Sequence, residues 1–178
     1  MKGFPKMNSA IVRILDLVAY NQQGQIVLII EVKGRTNRST TWATQLRCAF
    51  YQMHSYISII PSSQYFMLAL PDKLYLWKNK GPNFDPMATP YEINPEPFFG
   101  PYYKKADVDP NDLSESSFEL ILNSWINVLV SCGLAPDLPC DQREILLQSG
   151  LMDALKDCRI ERDVRVVDAG SISREELV

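Results

Sequence analysis

Histidine is almost missing from this chain: His54 is the one example in 178 residues. That excludes zinc proteases of the HExxH type and zinc sites built from three histidines. Cysteine is sparse too. Cys48, Cys132, Cys140 and Cys158 are scattered with no CxxC pair, which gives no zinc-knuckle signal and points to the reduced thiols of a cytoplasmic protein. Long hydrophobic runs are absent. A stretch such as Ile26-Val27-Leu28-Ile29-Ile30 is far shorter than a bilayer span, so no membrane partner is expected. No signal peptide is read at the start, because Arg13 and Asp16 interrupt the apolar residues that follow Lys6. There is no internal repeat. What remains is ordinary for a globular domain: 46% apolar and 22% charged residues. That balance excludes disordered, collagenous and coiled-coil chains.

The net charge of −3 hides a split. Residues 1–80 carry ten Lys/Arg and three Asp/Glu, a balance of +7. Residues 81–178 carry eight and eighteen, a balance of −10. A basic half of this kind can mark a nucleic-acid partner, with DNA expected here. The competing reading is that the two halves attract each other. The acidic 115–176 segment is expected to pack away from the basic groove.

Ile11 to Tyr20 and Gln25 to Lys33 read as the two strands of a hairpin. Asn21-Gln22-Gln23-Gly24 forms its turn, and Gly24 is free to take positive φ. The second strand is apolar on both faces up to Val32, so it is expected in the centre of a sheet. A helix follows, capped by Ser39, Thr40 or Thr41 and ending near Tyr56. Its buried stripe is Trp42, Leu46, Ala49, Phe50 and Met53. Tyr65–Leu70 and Leu74–Lys78 form a second strand pair about Pro71-Asp72-Lys73. Residues 79–112 hold nine prolines or glycines and read as a long loop or arm with an aromatic knot at 98–103. Two helices are then expected, from Ser114 to Cys132 and from Asp141 to about Cys158, ahead of a polar, frayed end. The domain reading is an α/β core over 1–80, a proline-rich arm over 81–113 and an acidic helical extension over 114–178. The fold class is α/β, a mixed β-sheet flanked by helices with a C-terminal helical pair.

Asp is depleted in strands, and a buried carboxylate is costly unless paired or bound to metal. Asp16 interrupts the first strand, while Glu31 and Lys33 end the second. A two-residue turn at Gln23-Gly24 puts Asp16 opposite Glu31. A four-residue loop over 21–24 puts it opposite Ile29. Either register keeps Asp16, Glu31 and Lys33 on one face. Two carboxylates and an ammonium suit Mg²⁺ (or Mn²⁺), which prefers hard oxygen ligands and keeps several waters. The competing reading is a cross-strand ion pair of Lys33 with one of the acids.

These residues carry a resemblance to the PD-(D/E)xK, or restriction-endonuclease-like, nucleases. Leu15-Asp16 matches the PD element, Glu31-Val32-Lys33 matches (D/E)xK, and a hairpin and helix stand where expected. Gln45 on that helix matches a glutamine that sits beside the lysine in many members. The resemblance covers about residues 10–80. It implies that Asp16 and Glu31 bind metal with the Val32 carbonyl, that Lys33 is catalytic with Gln45 beside it, and that DNA is hydrolysed. Three departures stand out. Leu15 replaces proline, Ala49 stands where some members have tyrosine, and residues 1–15 contain no Asp or Glu to match an acidic N-terminal helix. That acid is either missing or supplied from elsewhere.

Arg35, Arg38 and Arg47 cluster with Lys33 near the helix start and are candidates for phosphate contact. Trp42, Trp77 and Trp125 fit apolar stripes and read as core. His54 reads as a polar surface residue. Tyr102-Tyr103-Lys104-Lys105 reads as loop packing or a contact of a homo-oligomer. The alternative to an enzyme is an inactive nuclease-like protein that binds or assembles through its surfaces.

Overall fold

The structure is a computed structural model that describes residues 12–54, 63–79 and 84–167. The doubly apolar segment forms β2, Ile26–Val32, with every residue but Glu31 buried. It lies inside a six-stranded mixed sheet, as its composition demands. β1, Val12–Tyr20, pairs antiparallel with it on one side. β3, Tyr65–Leu70, pairs parallel on the other. The parallel pair is joined by α1, Thr40–Met53, since parallel strands need a crossover. β4, Lys73–Lys78, and β5, Tyr91–Ile93, extend the sheet antiparallel beyond β3. β6, Arg159–Val167, closes the other edge against β1. The order is β5-β4-β3-β2-β1-β6.

Two apolar layers sandwich the sheet. One joins Leu15, Val18, Ile29, Phe66, Leu68, Tyr75 and Trp77 to Ala43, Phe50 and Tyr51 of α1. The other joins Leu17, Leu28, Ile30, Met67 and Leu76 to four helices. These are α2, Glu96–Ala106, α3, Glu115–Cys132, α4, Cys140–Gln148, and α5, Leu151–Leu155. The chain is therefore an α/β domain with helices on both faces of one mixed sheet. No described helix is long and apolar enough to cross a membrane.

Several expectations need correction. The segment read as a loop or arm over 81–113 contains β5 and α2. Pro97 lies in the first turn of α2, where no N–H is needed, and Pro101 is carried inside. Packing offsets that break: Phe98 and Phe99 set their rings 5.0 and 5.5 Å from Trp125. The helix expected over 141–158 is two helices, because Gly150 takes φ +76 between them. On α1 the buried residues are Ala43, Arg47, Phe50 and Tyr51, while Ala49 and Met53 face outward. The stripe is rotated from the expected one because Arg47 is drawn into the core. His54 is buried, its Nδ1 2.7 Å from the Phe50 carbonyl and its ring tilted against Phe50 with centroids 4.2 Å apart, so it is not a surface residue. The expected frayed end, the last ten residues 169–178, lies outside the described residues.

Candidate active site

The hairpin positions the first two acids. Its loop spans five residues, Asn21 to Gln25, with Tyr20 facing Ile26. Asn21 Oδ1 accepts from the backbone N–H groups of Gln23 and Gln25, and Gly24 takes φ +77. An odd loop would put the two acids on opposite faces, but the register shifts by one residue between Ala19 and Tyr20. Leu17 then faces Ile30 as the last pair of the ladder, and Asp16 and Glu31 are the next residue beyond it on each strand. β1 and β6 are irregular at this level too. Leu15 packs under α1, while Leu17, two residues on, packs on the opposite layer. Asp163, the β6 residue at the height of Asp16, has φ +50.

Asp16 Oδ2 accepts a hydrogen bond from the Val32 backbone N–H at 2.7 Å. The carboxylate stands in for a ladder carbonyl where β1 and β2 cease to pair. Burial, followed by the charge of Glu31, pushes the Asp16 carboxyl up to about 6. The Val32 N–H and Lys33 oppose that shift, and Glu119 adds a little to it. Lys33 Nζ lies 2.7 Å from Glu31 Oε1. Burial pulls its ammonium down, yet the hydrogen bond and charge of Glu31, with Glu115 and Asp16 behind them, hold it above its ordinary value. Lys33 is thus a fixed cation at neutral pH.

The C-terminal half does not pack away from this cluster, as its acidity predicts. α3 buries Phe118, Leu122, Trp125, Ile126 and Leu129 against the sheet. Glu115 and Glu119 are a turn apart on the same helix and reach the sheet end beside Phe118. Glu115 Oε1 lies 4.0 Å from Lys33 Nζ, and its Oε2 accepts from the Gly34 N–H at 3.1 Å. Glu119 pairs with Arg162 of β6 at 2.8 Å. Neither Glu115, Glu119 nor Arg162 was legible as a site residue. The one signal was negative, the lack of any acid before Asp16.

The other expected residues scatter. Arg47 is 1% exposed. Its guanidinium lies 4.5 Å over Phe84 and 5.3 Å over Trp77, and donates to the Asp85 carbonyl and Asn79 Oδ1 at 2.9 and 3.0 Å. The structure commits it to the core rather than to a phosphate. Arg35 and Arg38 are exposed, with Arg38 5.4 Å over the Trp42 ring. Gln45 is exposed on α1, beside Thr41, Thr44 and the 87–90 segment. Among the described residues no hydrogen bond joins it to Lys33.

The donor set fits a hard cation. Two carboxylates lie at the strand end, where the charge of Glu31, second to burial, pushes the Asp16 carboxyl up. Among the described residues no three His, Cys, Asp or Glu side chains are placed to hold one ion. What the described residues offer here is two carboxylates at the strand end, and Mg²⁺ is commonly held by one or two carboxylates with waters completing its shell. An apolar cleft of about 360 Å³ lies elsewhere, lined by Phe98, Tyr102, Trp125, Leu129 and Leu138, and contains none of these charged groups. Comparison with protein-family models, with curated proteins and with solved structures gives no match, so the reading of this site rests on its own chemistry.

Proposed function

We propose that this chain is a Mg²⁺- or Mn²⁺-dependent phosphodiesterase of the restriction-endonuclease-like fold that hydrolyses DNA. The observation that carries the reading is the convergence of Asp16, Glu31 and Lys33 at the end of the β1–β2 ladder. In this reading Asp16, Glu31 and the Val32 carbonyl hold the metal. Bound there, Mg²⁺ supplies Lewis acidity toward a phosphate oxygen and a more acidic water. The residues do the positioning. The Val32 N–H fixes one oxygen of Asp16, and among the described residues no hydrogen bond engages the other. Lys33, protonated throughout the neutral range, sets a cation where charge develops on the phosphorus oxygens. Glu115 and Glu119 bring acidic side chains to this end of the sheet from α3, with Glu115 at the Gly34 N–H and Glu119 paired with Arg162. Arg35 and Arg38 are the exposed cations left to meet the DNA backbone.

The test is a cleavage assay on single-stranded, duplex and branched DNA with Mg²⁺ or Mn²⁺. Glu31→Gln removes a metal-binding charge and keeps the shape. Lys33→Ala removes the cation and keeps both carboxylates. Each is expected to lower cleavage by about a hundredfold to a thousandfold or more, with folding intact. A wild type that neither cuts DNA nor melts higher with Mg²⁺ overturns the reading. The alternative is then a nuclease-like fold kept for its surfaces. The apolar cleft beside Trp125, distant in chemistry from the carboxylates, is the feature that favours it.

A further inference from the structure

α3 reaches onto the β2–α1 turn through Glu115. One carboxylate, that of Glu115, addresses two successive residues of that turn. Its Oε2 accepts from the Gly34 N–H at 3.1 Å, and its Oε1 lies 4.0 Å from Lys33 Nζ. The approach is close because residue 34 is glycine. A Cβ there would sit 2.8 Å from the Glu115 backbone N and 2.9 Å from its Cα. Ser114 Oγ accepts from the Ser117 N–H and holds the first turn of α3 in place. The turn is tied again two residues on, to the short 3-10 turn Pro110–Asp112 that precedes α3, where Thr36 Oγ1 donates to Asn111 Oδ1 at 2.7 Å. Asn37, with φ +55, donates its N–H to Asp72 at 2.8 Å. Residues 33–37 are thus fixed from outside their own hairpin.

We infer that Glu115 is a positioning residue for Lys33. It orients the ammonium through its charge and sets the path of the backbone through Gly34. The inference rests on the phosphodiesterase reading, because it needs Lys33 to act on a reacting phosphate. The competing account is that Glu115 only complements the N-terminal end of α3, as acids in a first turn do. The two accounts differ in what they move. A helix-end charge changes stability alone. A positioning residue changes the catalytic rate at constant folding.

The experiment uses the full chain with Mg²⁺ or Mn²⁺ and the preferred DNA substrate, comparing wild type, Glu115→Ala and Glu115→Gln. Rates are measured as kcat and KM, and each variant is checked by a melting curve and by exchange of the Gly34 amide. Glu115→Ala is expected to lose about tenfold to a hundredfold in kcat, as supporting residues behind a reacting group do, with KM changed by less than about twofold. Its Gly34 amide should exchange faster. Glu115→Gln keeps an oxygen for the Gly34 N–H and loses the charge. It should retain amide protection and fall between the other two in kcat. Should the alanine variant fold poorly, the glutamine variant carries the comparison. An active wild type whose folded Glu115 variants cut at the same rate overturns the inference and leaves the phosphodiesterase reading standing. A wild type with no metal-dependent cutting overturns both.

Discussion

Asp16 has a pH signature that can be worked from its surroundings. Its carboxyl titrates near 3.8 when exposed in the unfolded chain and at about 6 in the fold, through burial and the nearby Glu31. A little over two pH units corresponds to about 3 kcal/mol. The group is only partly buried, and solvent screening reduces that to roughly 1.5 kcal/mol. The sign follows from proton linkage. Well below 3.8, Asp16 is protonated in both states. Between about 4 and 6 the folded form holds a proton that the unfolded form has lost, so stability falls as pH rises. Above the folded value the full penalty is present. Asp16→Asn stays neutral at every pH, and its amide oxygen can still accept from Val32. Without metal it should therefore melt roughly 3–6 °C above wild type at pH 8, and most of that gain should be gone at pH 4. Taking the difference between the two proteins at each pH cancels the other titrating groups. Added Mg²⁺ should raise the wild-type melting temperature, because a ligand stabilises the state that binds it, and should leave Asp16→Asn unmoved. A variant less stable than wild type at pH 8, or a gain equal at pH 4 and pH 8, refutes the picture of a carboxylate strained by burial and its neighbour.

Three further outcomes are measurable. Arg47→Ala removes two hydrogen bonds and a stacked guanidinium from the core, and should cost about 3 kcal/mol. Lysine should not restore it, because a tetrahedral ammonium cannot stack as a planar fork does. Gly34→Ala places a methyl 2.8 Å from the Glu115 backbone and should cost about 1–3 kcal/mol through overpacking, seen in a denaturant melt; an unchanged midpoint would mean that α3 yields freely. Arg35→Ala and Arg38→Ala should each lower the slope of log binding constant against log salt by about 0.9 on duplex DNA. Arg47→Ala, once its lower stability is allowed for, should leave that slope alone.

The elements that the sequence declares are those whose signal is local. The hairpin, α1 with its Ser39 cap, and the β3–β4 pair each carry their periodicity and turn residues within about ten positions. α2 was hidden because Pro97 and Pro101 read as breakers. What forms it is burial of Phe98, Phe99 and Tyr103, a tertiary gain invisible to local propensity. β6 was hidden because Arg159, Glu161, Arg162, Asp163 and Arg165 deny it an apolar pattern. It is an edge strand, where charge is tolerated and guards against pairing with other chains.

The candidate site divides along the same line. Asp16, Glu31 and Lys33 belong to one hairpin, so covalent distance alone keeps them close, while the one-residue register shift and the break in alternation between Leu15 and Leu17 were not legible. Arg47 is the opposite case. Its charge suggested a phosphate contact, yet the aromatic faces of Phe84 and Trp77 give a delocalised cation a place in the core. Glu115 and Glu119 could not be foreseen either, since they lie more than eighty residues beyond Glu31 and are ordinary acids on an amphipathic helix. The residues of a hairpin are neighbours by covalent geometry, whereas α3 meets the β2–α1 turn only because its apolar stripe must be buried on the sheet and Gly34 leaves room for the approach.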